Sequence, residues 1–269
     1  MTITEWRGVT DLVAAEVLTD STDGITFGTP FAIAGVASIE KTTDGSSEAH
    51  YYNNIPAVVV SGSGADTLTI NVSALSLEVQ AALNGQYYDE NTGAMIEGTP
   101  AEKYWAIGYK TKKVDGTEVW VWRYKGRFAP IGSTHNTIDN STTANGQQLT
   151  YTGIATTYKF EKTGEGATGI NVDLGLDLAD VSAFFTTVTT PDTLVAKTSY
   201  KLTISQASNT TVTVKRGSQT LANNADIYVG DHLKITVTGG TVTVNSVAFT
   251  SGDIHVVSGA TAVVSTASA

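Results

Sequence analysis

Apolar and polar residues alternate with a period of two over much of this chain. Thr67-Leu68-Thr69-Ile70-Asn71-Val72 alternates strictly and places Leu68, Ile70 and Val72 on one side of a strand. Phe31 to Ile39 reads as a strand broken at Gly35. Tyr104 to Lys112 and Val119 to Phe128 flank Asp115-Gly116, a pair that supplies the positive φ angles of a tight hairpin turn. On the returning strand Trp120, Trp122, Tyr124 and Phe128 are expected on one face, and Arg123, Lys125 and Arg127 on the other. Leu149 to Thr157 and Tyr158 to Lys162 read as further strands around Gly153.

Two short stretches carry helical spacing instead. Ser76 caps a segment reaching Leu83, with Val79, Ala82 and Leu83 on its apolar side and Asn84-Gly85 to end it. Asp180 heads a second predicted helix, to Val188, that buries Val181, Phe184, Phe185 and Val188. Neither is long enough to stand alone, so each must pack on a sheet.

Beyond Thr189-Thr190-Pro191-Asp192-Thr193 the texture changes to short Thr/Val strands without Glu or Trp. His232 to Thr238 alternates, turns at Gly239-Gly240 and returns as Thr241 to Asn245. With strands near Tyr200–Ser205, Thr211–Arg216 and Ala260–Ser265, this predicts a small immunoglobulin-like sandwich. The organisation expected is therefore a domain over residues 1–192 and a second over 193–269.

Composition agrees with a mostly β class. Thr, Val and Ser recur, and β-branched residues suit pleated strands better than helices. At 41% hydrophobic residues the chain can bury a core. It has no cysteine, which removes disulfides, thiolate catalysis and Cys-based zinc sites together. Met1 to Arg7 has no basic start and no apolar run, so no signal peptide is expected, and no stretch approaches a membrane span.

The net charge of −10 is uneven. From Leu194 onward five basic residues face three acidic ones, which leaves 11 basic against 23 acidic, or −12, before it. Such a body does not grip a phosphate backbone.

Candidate chemistry is thin. Gly164-Glu165-Gly166-Ala167-Thr168-Gly169 has the letters of a dinucleotide fingerprint, but that motif must open a helix, and Ile170 to Leu174 reads as a strand. His50, His135, His232 and His255 are scattered, without metal-ligand spacing. Asp173, Asp177 and Asp180 read as loop ends and caps more readily than as paired catalytic carboxylates. Asp20-Ser21-Thr22-Asp23-Gly24 falls short of a calcium loop. No enzyme, cofactor or metal reading stands.

The order of segments does resemble a family. Gly8 to Leu12, Gly28-Thr29-Pro30, Ala34 to Ile39, Leu77 to Gly85, Ala106 to Lys113, Val121 to Phe128 and Phe184 to Val188 together resemble the major tail (tail tube) proteins of long, non-contractile-tailed bacteriophages of Gram-positive hosts. The resemblance implies a tail-tube β-sandwich or barrel with short flanking helices, here followed by an immunoglobulin-like decoration domain. It implies a structural virion protein of the phage tail, assembled in the host cytoplasm into stacked rings, typically of six, through which DNA is ejected without specific binding. The implied partners are the protein itself, the tape measure protein and the tail terminator and tip proteins. A host-surface carbohydrate is the ligand suggested for the C-terminal domain. The contrasting reading is a secreted or surface carbohydrate-binding or adhesin module that uses the aromatics Trp120, Trp122 and Tyr124 and the C-terminal sandwich.

Within that reading, Tyr51 to Asp66 is expected to be a loop that is mobile in the free subunit and orders between rings; the alternative is an ordinary strand buried within its own domain. The segment mixes turn residues with Tyr51, Tyr52, Ile55, Val58, Val59 and Val60, which are too apolar to stay in water by preference.

Overall fold

The computed structural model describes residues 4–52, 54–135, 137, 145–217, 219–259 and 262–268. The chain is mostly β and divides into two compact units, Met1–Val195 and Ala196–Ala269.

The first unit runs β1 (Trp6–Asp20), β2 (Ile25–Phe27), β3 (Phe31–Ala32), β4 (Val36–Tyr52), β5 (Ile55–Val72), α1 (Leu77–Asn84), β6 (Tyr87–Asp89), β7 (Ala94–Ile96), β8 (Trp105–Lys113), β9 (Glu118–Phe128), β10 (Gln147–Ile154) and β11 (Gly169–Asp173). One sheet has the order β2-β1-β8-β9-β10-β5-β4, with β3 beside β1 and β11 beside β9. It curls until β1 approaches β4. The interior of this open barrel holds Leu12, Leu68, Ile70, Ile107, Leu149 and Tyr151. The Tyr151 hydroxyl donates to the Trp105 carbonyl at 2.8 Å, so this buried hydroxyl is satisfied.

The outer face of β8 and β9 is covered as well. Trp122 and Tyr124 pack there with Phe160, Phe184 and Val188. Trp122 Nε1 donates to the Phe184 carbonyl at 2.7 Å, and the Tyr124 hydroxyl to that of Thr189 at 3.2 Å. Burial pushes the Tyr124 and Tyr151 hydroxyls far above the usual phenol range, which leaves them as core donors. The period-two aromatics are thus a packing face, as their spacing predicts, with one exception. The register of β8 against β9 shifts between Trp105 and Ile107. Past that irregularity Phe128 packs with the inner cluster, its ring 5.3 Å from that of Tyr151. Gly126 sits at the same place, where a Cβ would collide with the Tyr151 ring and the Thr152 carbonyl.

The helix α1 forms as its sequence predicts. Ser76 accepts from the Val79 amide at 3.3 Å, and Gly85 closes the helix with φ of 66°. The second predicted helix does not form. Asp180 accepts from the Ser182 amide at 3.0 Å, and hydrogen-bonded turns follow through Val188. The Thr186 and Thr187 hydroxyls both turn back to the Ala183 carbonyl. Side chains that compete for backbone in this way, in a β-branched run from Thr186 to Thr190, disfavour a regular helix. Phe184 and Val188 are buried regardless. Tyr158–Lys162 likewise forms bends and turns instead of the expected strand: the amides of Glu161 and Lys162 are taken up by the Asp192 carboxylate.

The second unit contains β12 (Ser199–Ser205), β13 (Thr211–Arg216), β14 (Gln219–Leu221), β15 (Asp226–Tyr228), β16 (His232–Thr238), β17 (Gly240–Val244), β18 (Val247–Phe249), β19 (Ile254–Val256) and β20 (Ala262–Ser268). Two sheets, β15-β12-β20-β17-β18 and β14-β13-β16-β19, share one core of Leu202, Val214, Ile227, Leu233, Ile235 and Val264. The hairpin expected at Gly239-Gly240 is a crossing between sheets instead. β16 pairs with β13 and β19, whereas β17 pairs with β18 and β20. Ala260 and Thr261, the start of the last predicted strand, lie outside the described residues.

Candidate assembly surface

The β4–β5 hairpin outgrows its sheet. β10 pairs with β5 only from Asp66 to Val72. Beyond that, β4 and β5 continue paired with each other alone, from Gly45↔Ser63 out to Tyr52↔Ile55. Eight residue steps of strand make a ribbon of roughly 25 Å. Both of its edges lack a strand partner among the described residues.

Its tip is a tight turn in which Asn54 takes φ of 65°. Asparagine tolerates that left-handed conformation better than most residues. The expected loop from Tyr51 to Asp66 is therefore strand, with Val58 paired to His50 and Val59 to Ala49. Side chains remain in water nonetheless. Tyr51, Tyr52 and Ile55 are each 65% exposed, Val59 62% and Val58 49%. The side chain of Val60 lies outside the described residues, as does Asn53. A two-stranded ribbon with apolar side chains and two open edges is marginal alone and invites another chain.

The uncovered face of β10, β5 and β4 is polar but almost uncharged. Thr67, Thr69 and Asn71 alternate with the buried Leu68, Ile70 and Val72, and Thr150 and Gln148 continue the row across β10. Glu40, opposite Thr69, is the carboxylate of this row.

The basic residues of β9 do not form a bare cationic face. Lys125 donates to Asp20 at 2.6 Å, where the Asp20 side chain is 4% exposed. Burial pushes the Asp20 carboxyl up, but Lys125 and the amides of Thr157 and Tyr158 more than offset this and hold it below the usual range. Arg127 meets Glu102 at 3.0 Å. Arg123 turns inward, to the mouth of the barrel.

The features weighed for chemistry resolve as structure. Asp173 caps the 3-10 turn Leu174–Leu176, accepting from Gly175, and takes Lys113 at 2.6 Å. The glycines from Gly164 to Gly169 lead into β11 and not into a helix. Asp20 ends β1 and serves the amides opposite it. Among the described residues no group of three or more His, Asp or Glu is placed to hold a metal, and no helix is long and apolar enough to cross a membrane.

The pattern of residues 31–39, 67–72 and 104–128 showed these strands. That pattern does not extend to the long β1, and in the outer half of the hairpin the strand alternative holds without the burial expected of it. The available signal was Asn53-Asn54 between two Tyr and a Val run, which is a hairpin turn between strands.

A family model described as phage tail tube protein matches residues 10–172. No curated protein matches the chain.

Proposed function

The chain belongs to the phage tail tube protein family, and we propose that it is the repeating subunit of a long, non-contractile tail, stacked as hexameric rings around a DNA channel. A structural tail component that assembles into a tube is what the family does. The finer reading rests chiefly on the β4–β5 ribbon, which carries Tyr51, Tyr52, Ile55, Val58 and Val59 into solvent on a strand pair with open edges. In this reading the tip contacts the next ring, and burying it removes both the apolar exposure and the unpaired edge.

The Thr- and Asn-rich face of β10, β5 and β4 is the proposed channel wall. It offers no lysine or arginine along its central rows, so a passing duplex finds few phosphate contacts. Repulsion from the acidic first unit reaches only about 8 Å at physiological salt, so carboxylates help only near that wall. Residues from 193 onward are the proposed immunoglobulin-like decoration on the exterior. Assembly in the cytoplasm of a Gram-positive host, on a tape measure and between tip and terminator proteins, completes the proposal.

Negative-stain microscopy of concentrated protein, with and without tail-tip components, tests it. Tubes or rings of uniform diameter are expected, and a strictly monomeric species under both conditions overturns the reading. Hydrogen exchange tests the contact itself. The ribbon amides are expected to gain protection in tubes, and equal protection in both states refutes the inter-ring role.

A further inference from the structure

The mouth of the first unit's barrel holds more positive charge than its own residues balance. A cavity of about 650 Å³ opens there between β1, β4, β8 and β9, walled by Val9, Ile39, Val119 and Val121. Two cationic side chains line it, Lys41 and Arg123, and no carboxylate does. Asp66, 4% exposed, lies behind them and takes Lys41 at 2.9 Å and the Thr43 hydroxyl at 2.6 Å. Asp66 is close enough to attract Arg123 as well, so one carboxylate serves two cations.

Arg123 is 9% exposed. Its Nη2 donates to Asn171 Oδ1 at 3.2 Å, while its buried Nε has no acceptor among the described residues. Asp66 attracts Arg123 but is already bonded to Lys41 and Thr43. Leaving that Nε unmet is costly, since buried donors in folded proteins nearly always find an acceptor. An apolar cleft with one such donor is shaped for an anionic group carried on an apolar support.

The ribbon carries that combination. Glu48 is exposed, and the next pair along its face of the ribbon is His50 and the exposed Val58. Glu48 does not reach the mouth of its own barrel. It stands seven residues beyond Lys41 on one continuous strand, about 23 Å away. Only another molecule brings the two together. Building on the tube reading above, we propose that the barrel mouth is a receptor for a second copy of this chain, whose Glu48 carboxylate enters to meet Arg123.

The chain's lack of cysteine makes the test direct. Ala37, exposed at the rim of the cavity, is replaced in one preparation (Ala37→Cys) and Glu48 in another (Glu48→Cys). The two are co-assembled and oxidised. A disulfide-linked dimer that needs both variants is expected. In parallel, Glu48→Gln is expected to raise the protein concentration needed for polymerisation by about tenfold, the scale of one lost charge-pair contact. Arg123→Met should do the same, and the double variant should be no worse than either single one. Where Arg123→Met fails to fold, the cross-link and Glu48→Gln decide alone.

Tubes that form without the cross-link, and with Glu48→Gln assembling normally, overturn the proposal and leave the tube assignment standing. Stabilisation of the isolated subunit by acetate, abolished by Arg123→Met while Glu48→Gln has no effect, also overturns it, in favour of a free-anion site. Absence of any polymer, even with tip components, removes the tube reading and this inference together.

Discussion

One hairpin contains two kinds of β-structure. At its base, Leu68, Ile70 and Val72 are buried while Thr67, Thr69 and Asn71 face outward, and β10 supplies a third strand. At its tip, Val58 and Val59 are neighbours on opposite faces and both are exposed, with no third strand among the described residues. Strict alternation records burial by the chain's own core on one side only. A run that is apolar on both faces records burial on both, and here the chain supplies neither cover. The difference marks where folding ends and assembly begins.

The sharpest way to break this comparison is to remove the tip. Replacing residues 48–60 by Asn-Gly closes the ribbon early with a turn suited to it. Assembly is expected to be abolished under conditions in which the native chain forms tubes. The thermal midpoint of the monomer should move by only a few degrees, since none of the described side chains among those excised belongs to a core cluster. A collapsed monomer would show that the tip belongs to the fold after all.

The complementary substitution acts at the base. Leu68 is fully buried in the inner cluster, and Leu68→Ala is expected to cost about 2–5 kcal/mol from lost transfer energy plus cavity. Denaturant unfolding of the monomer measures it. A cost below 1 kcal/mol would mean that the barrel interior is not the stabilising core.

Acid separates the two halves more gently. Asp20 and Asp66 both have carboxyls held below their usual range. Burial works against this in each, and the Lys125 and backbone bonds of Asp20, and the Thr43 and Lys41 bonds of Asp66, prevail. A depressed folded pKa means that the stabilisation is present above the ordinary carboxylate range and is lost as pH falls through the folded values. Monomer stability is therefore expected to be flat near neutrality and to decline below about pH 4. Asp20→Asn should cost about 1–3 kcal/mol at neutral pH and make the decline shallower. An unchanged acid limb would remove Asp20 from this account.

Much of the fold was legible because its signals are local. Ser76 and Gly85 bracket α1 by capping chemistry, and Asp115-Gly116 turns β8 into β9, with φ of 89° at Gly116. What was not legible depends on partners far along the chain. Thr186 and Thr187 spend their hydroxyls on Ala183, which propensity within a helical spacing does not foresee. Gly239-Gly240 looks like a hairpin turn, but Asn209 packs where a Cβ of Gly239 would go, and the strands on either side join different sheets. The aromatic and aliphatic residues of the tip are readable as too apolar for solvent, and as loop or buried strand, but not as a strand left exposed. Apolar surplus says that a surface will be covered, without saying in what secondary structure it waits.

The smallest expected effect is the most discriminating one. Val59 is 62% exposed and pairs with Ala49 across the ribbon. Val59→Thr keeps the shape and the β-branching while exchanging a methyl for a hydroxyl. In the monomer the residue already faces water, so the stability change should stay within about 0.5 kcal/mol. In a tube the same position is expected to lie against another subunit, where burying a hydroxyl in place of a methyl costs about 1 kcal/mol. That is about fivefold in the concentration at which tubes first appear, because 1.4 kcal/mol corresponds to about tenfold. Light scattering against concentration reads the second quantity, and denaturant unfolding reads the first. A variant that loses monomer stability but polymerises normally would place Val59 among the folding residues. Only an unaffected monomer with delayed assembly fits a tip that is covered by a neighbour.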